Sequence, residues 1–181
     1  MGRLGADFGY TLDAGDLGSF EDETFSADAM SITFYGVSAH PGYGKDKLVN
    51  AVKAAAHFVD SLPKDEWSPE TTDDRYGFVH PVRINGSAEK ATVDLIIRDF
   101  ITGKLGAYEA HLQDKLEDTL KIFPGARVEF SVTEQYRNMK EVLDQHPARL
   151  DDVLLPEHEG AHRARDEGQP GIGGVGLDRV G

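Results

Sequence analysis

Cysteine is absent from the 181 residues, so neither a disulfide framework nor a thiolate metal site can be built. Positive charge is scarce: 19 lysines and arginines stand against 32 aspartates and glutamates, for a formal net charge of -13. A surface this acidic repels phosphate backbones, and no local basic patch offsets it, which argues against a nucleic-acid partner. Long apolar runs are also missing. None approaches the roughly 20 residues needed to span a bilayer, and no basic segment followed by an apolar one opens the chain. The expectation is a cytoplasmic protein with no membrane partner. No glycine-rich phosphate loop follows a strand, and no serine sits in a nucleophile elbow.

What is present fits one core of moderate size, with 39% hydrophobic residues and a mean hydropathy of -0.42. A short alternation of Phe8, Tyr10 and Leu12 ends on Asp13, placing a carboxylate at a strand tip. Met30, Ile32 and Phe34 alternate with Ser31, Thr33 and Tyr35 as a half-buried strand over about 27–37. A helix is expected over about 45–62, with Leu48, Val52, Ala55, Val59 and Leu62 as its apolar stripe, His57 in solvent, and Pro63 as its stop. Residues 63–76 read as a surface loop in which Trp67 is either a local anchor or an interface residue. A hairpin follows: Phe78–Ile84, a turn at Asn85-Gly86-Ser87, and Ala91–Phe100, with Val93, Leu95 and Ile97 facing inward and Arg98 outward. A second helix over about 104–122 carries Leu105, Tyr108, Leu112, Leu116 and Leu120 on one face, and Val128, Phe130 and Val132 mark a fourth core strand. Glu141–Leu155 reads as a further helix interrupted by Pro147.

Strand-helix-strand-strand-helix-strand is the split βαβ order. It predicts an α+β fold of the ferredoxin-like type: a four-stranded antiparallel sheet with both helices on one face, leaving the other face and an edge for a partner. After Pro156 the periodicity stops and seven of the last 26 residues are glycine, which predicts disorder over 156–181.

Three features could carry chemistry. In Ala39-His40-Pro41-Gly42, Pro41 pushes His40 toward an extended backbone at a strand end, and Gly42 and Gly44 permit the turn that follows. This is either a plain turn or an imidazole held out for use. The outward Arg98 is either a solvated arginine or a fork for a carboxylate. His158-Glu159-Gly160-Ala161-His162 has the spacing of a zinc-protease helix, but Gly160, Pro156 and the flanking charges leave no rigid helix to present it, so it is read as chance.

Four segments in order, Gly5-Ala6-Asp7-Phe8-Gly9-Tyr10-Thr11-Leu12-Asp13, Ala39-His40-Pro41-Gly42, Ile96-Ile97-Arg98-Asp99-Phe100 and Tyr136-Arg137-Asn138-Met139, resemble the peptidase T branch of the co-catalytic zinc aminopeptidases and aminoacylases. The resemblance covers residues 5 to about 147. It implies a catalytic domain with two zinc ions and an inserted lid, or dimerisation, domain of the split βαβ type. On it, residues 1–24 are a remnant of the catalytic domain, 25–137 the lid, and 138–155 a helix returning toward the catalytic domain. Asp13 would be a zinc ligand, His40 would reach a substrate carbonyl or its oxyanion, often in the partner subunit's site, and Arg98 would hold the peptide's carboxylate. Ala14 stands where the family usually has glycine, and the family's His-x-Asp, Glu-Glu and Gly-Gly-Thr-Asp-Gly segments and its final ligand histidine are missing. One carboxylate cannot hold a two-zinc centre. The expectation is a truncated peptidase T-like chain that binds no zinc stably and is inactive alone, pairing as a homodimer or with an intact homologue. The alternative is a stand-alone dimerisation module.

Overall fold

Four strands, β2 (Ser26–Tyr35), β3 (Phe78–Gly86), β4 (Lys90–Asp99) and β5 (Arg127–Tyr136), form one antiparallel sheet in the order β3-β4-β2-β5. The structure is a computed structural model that describes residues 19–146 and 162–163. Two short segments, β1 (Ser19–Phe20) and β6 (His162–Arg163), make a separate parallel ladder. Helices α1 (Ala51–Asp60) and α2 (Leu105–Ile122) lie on one face of the sheet, and the one-turn helix α3 (Lys140–Leu143) follows β5. The expected α+β architecture is the one observed. No described helix is long and apolar enough to cross a membrane.

The period-two pattern of β2 and β4 sets the core. Met30, Ile32 and Phe34 pair across the ladder with Leu95, Val93 and Ala91, so all six point to the helix side and all six are buried. Phe58 of α1 meets Phe34 with ring centroids 5.9 Å apart, and Leu112 and Leu116 of α2 close the layer.

Several local expectations need correction. Helix α1 starts at Ala51 rather than near 45, because Asp46 takes a left-handed φ of 60° and ends any helical path there. Asn50 then caps the helix by accepting the Lys53 amide at 3.2 Å. Its buried face is Ala51, Ala54, Ala55 and Phe58, while Val52 is 38% exposed. The small residues let Gly36 and the β3–β4 loop approach: a Cβ on Gly36 would lie 2.2 Å from the Val49 carbonyl oxygen. His57 is not in open solvent; it is partly buried, with its ring edge-on to Phe123 and Nδ1 at 3.4 Å from the Thr119 hydroxyl.

In the hairpin, Asn85 and Gly86 belong to the ladder, opposite Thr92 and Ala91, and the loop is 87–89, closed by the Ser87 amide donating to the Lys90 carbonyl at 2.7 Å. Gly86 serves close approach rather than a turn, since a Cβ there would come within 2.4 Å of Ala91 Cα. Trp67 acts as a local anchor, edge-on to Tyr108 and His111 at 4.7 and 4.6 Å. On α2, Thr119 takes the buried position beside the partly buried Leu120.

The largest departure is β5. Val128, Phe130 and Val132 point to the helix side, opposite Phe34, Ile32 and Met30, yet Phe130 is 44% and Val132 37% exposed. As the edge strand it is covered by the helices only in part: Val128 packs against the core while Phe130 and Val132 stay open.

Candidate functional site

His40 follows β2 and opens a 3-10 turn over Pro41–Tyr43, with φ -59° and ψ 128°. That extended backbone is what the following proline demands. Its Nδ1 accepts the Gly42 amide at 3.2 Å, so the neutral ring carries its proton on Nε2 and can donate from there. The side chain is exposed and leans on Tyr43, with ring centroids 5.7 Å apart. Neither Gly42 nor Gly44 uses a left-handed φ, so the turn rests on Pro41 and the His40 cap rather than on glycine freedom.

Arg98 lies on the outer face of the sheet, near the C-terminal end of β4. Nη1 donates to the carbonyls of Asp28 and Ile97 at 3.1 and 2.9 Å, and Nη2 to Gln135 Oε1 at 2.9 Å. The Tyr136 ring stacks against the guanidinium at 5.4 Å. Nε and the second Nη2 hydrogen find no partner among the described residues, leaving one edge of a fixed fork that matches a carboxylate. A shallow depression of about 300 Å³ shares Gln135 with this guanidinium and continues over Ser31, Asp94, Ile96 and Thr133. A hydrogen bond from the Ser31 hydroxyl holds the Asp94 carboxyl below its ordinary pKa; burial opposes this and Arg83 assists it.

The structure does not bring His40 and Arg98 together. Arg98 pairs with Ala27 at one end of β2, whereas His40 lies beyond Tyr35 at the other. Eight residue steps of strand separate those ends, about 26 Å at roughly 3.3 Å per residue. Asp13 and residues 158–161 of the tail pattern lie outside the described residues. Among the described residues, no three histidine, aspartate or glutamate side chains gather as a metal site.

The sequence reading left two roles in the Tyr136–Met139 segment unassigned. Arg137 donates to buried Asp28 at 2.8 Å, to the Ala27 carbonyl at 3.1 Å and to Glu134 at 2.8 Å, spanning the bulge between Ala27 and Asp28. Asn138 is buried in a network with Glu23, Thr24, Ser26 and Phe100. The signal available was an asparagine and an arginine directly after a strand, residue types rarely buried without full hydrogen bonding.

Residues 23–124, more than half of the chain, match the family described as "Peptidase dimerisation domain". The chain belongs to this family. It is 43% identical over 146 residues to peptidase T of Exiguobacterium sibiricum, covering 81% of this chain and 35% of that enzyme. Against peptidase T of Latilactobacillus sakei it is 40% identical over 140 residues, covering 77% and 34%. Among solved structures, the aminopeptidase PepT from Bacillus cereus superposes with a TM-score of 0.62 at 21% identity, covering 84% of this chain and 42% of that one. A tripeptidase from Staphylococcus aureus gives 0.60 at 22% identity, with 74% and 35% covered. The structural likeness establishes the fold. The chain spans about a third of the length of the curated relatives it matches, and it carries the dimerisation domain of peptidase T-like peptidases.

Proposed function

We propose that this chain is the lid and dimerisation part of a peptidase T-like aminopeptidase, that it works by pairing with a second copy or with an intact homologue, and that it does not hydrolyse peptides alone. The observation that carries the reading is the placement of His40 and Arg98 at opposite ends of one sheet. A tripeptide spans about 10 Å when extended, less than half the strand length between them. If both side chains serve substrate, they serve two different sites, and a lid of this shape completes each site only across a pair. His40 would donate from Nε2 to a carbonyl or developing oxyanion, and the free edge of Arg98 would clamp a terminal carboxylate.

The lid body would be residues 25–137, with 1–24 a remnant of a catalytic domain and 138–155 the segment returning to that domain. In such an enzyme Asp13 would bind one of two zinc ions. The compartment we propose is the cytoplasm, with which a chain free of cysteine is consistent. The pairing surface would be the β5 edge. The other edge, β3, is blunted by Pro81, which lacks an N–H, and by a bulge between Pro81 and Arg83.

The test joins sedimentation equilibrium with a peptidase assay. The purified chain with zinc and a tripeptide should show no turnover above a metal blank, and it should sediment as a dimer. Turnover well above the blank, or a monomer at high concentration that also fails to associate with an intact peptidase T, would overturn the proposal. The stand-alone dimerisation module is favoured instead if the chain dimerises but fails to associate with an intact peptidase T.

A further inference from the structure

Asn138 is only 4% exposed, and each of its polar groups is engaged. Its backbone amide donates to Ser26 Oγ at 2.9 Å and its carbonyl accepts from the Glu141 amide at 3.1 Å. Its Nδ2 donates to Glu23 Oε1 and to the Phe100 carbonyl, both at 2.9 Å. Its Oδ1 accepts the amides of Thr24 at 3.2 Å and Lys140 at 2.9 Å. The Met139 amide donates to Thr24 Oγ1 at 3.0 Å, giving a second tie between the same two stretches. Arg75 grips both carboxylate oxygens of Glu23, with Nη1 donating to Oε2 and Nη2 to Oε1, the latter at 2.8 Å. Burial alone would raise the pKa of Glu23, but the hydrogen bonds from Arg75 and Asn138 outweigh it and lower the pKa.

These bonds join residues 23–26, which lead into β2, to residues 138–141, which leave β5, and both to the turn after β4. The geometry suits asparagine alone among the side chains. Aspartate offers no donors and would set a second carboxylate against Glu23, and glutamine carries its amide one methylene farther out.

We infer that Asn138 is a clasp that fuses the two chain segments by which the domain is attached into one stiff stem. The domain then moves as a single body, and bending falls before Glu23 and after Lys140 rather than within it. The clasp stands on the hydrogen bonds themselves; its part in lid movement rests on the reading proposed above. Arg98, stacked on Tyr136 two residues before Asn138, rides on the same stem.

Amide hydrogen exchange on the full chain, followed by NMR, tests this. In Asn138→Ala the amides of Thr24 and Lys140 should exchange at least about tenfold faster while those of Val93 and Ile97 keep their rates. Thr24→Val removes only the tie to Met139 and should release that amide alone. If Asn138→Ala fails to fold, the unaltered chain decides the question: the clasp protects the Thr24 and Lys140 amides together, and exchange at the rate of open peptide would overturn it. Unchanged rates at these amides, or acceleration shared with Val93 and Ile97 in the folded variants, would overturn the clasp. Neither variant is read through activity or association, so failure of the lid proposal would leave these rates as they are.

Discussion

Arg137 shows how one side chain is committed by its surroundings. Asp28 faces the helix side of β2 at 4% exposure, and its carboxylate is held by the Arg137 guanidinium. Removing one partner strands the other's charge, so Arg137→Ala should cost about 3 kcal/mol. For a chain of this size that lowers the thermal midpoint by about 6–12 °C. A calorimetric scan checks it, and a drop of only a degree or two would show that water reaches Asp28. Asp99 is a second buried carboxylate at the same end of the sheet, paired with Ser26 across the ladder. It accepts the Tyr108 hydroxyl at 3.0 Å and the Ile101 amide at 2.8 Å. Burial and the Asp99 carboxylate push the Tyr108 hydroxyl up to about 12. Neither arrangement was legible in the sequence, where both aspartates sit in alternating strands with nothing to mark their partners. The backbone of His40 was legible, because a proline constrains its predecessor whatever the fold.

At the level of elements, the alternation of β5 matches that of β2 and β4, and sequence cannot distinguish them. Their difference comes from pairing order, a property of the whole sheet. Once β5 is an edge, Phe130 and Val132 become apolar side chains beside an open row of backbone donors and acceptors, which is how a strand invites another strand. Phe130→Glu should therefore abolish self-association while leaving the fold intact, measured as a monomer in sedimentation with an unchanged far-UV circular dichroism spectrum. An unaltered dimer would move the interface elsewhere. Helix α1 was misplaced for a more local reason. Apolar spacing runs on through Leu48 into the preceding turn, and only the left-handed Asp46 and the Asn50 cap fix the start. The cap was readable in advance as an asparagine before an alanine-rich run.

Across the whole molecule, acidity sets the response to pH. Burial raises the Glu109 pKa, the Asp28 carboxylate adds to the rise, and Arg137 offsets part of it. A carboxyl raised in the fold penalises stability at neutral pH, and the penalty is relieved as pH falls through its folded value. Glu23 and Asp94 are lowered in the fold, from ordinary values of 4.5 and 3.8. Their contributions are present above those values and are lost as pH falls further. Falling pH also reduces repulsion within a chain of net charge -13. Thermal melts from pH 7 downward should therefore rise to a maximum on the acid side and then fall below about pH 4. Glu109→Gln should lift the neutral end of that curve by about 0.5 kcal/mol, the size of a like-charge contact on a helix. A curve that declines steadily from pH 7 would contradict this ordering of groups.

Trp67, the chain's single tryptophan, is wedged against α2 beside β3, at the sheet edge opposite β5. That position makes it an optical reporter with a convenient blind spot. Its fluorescence should redden and lose intensity as the core opens, yet stay constant while two copies join along the far edge. Emission and sedimentation on one sample can thus separate folding from assembly without a label.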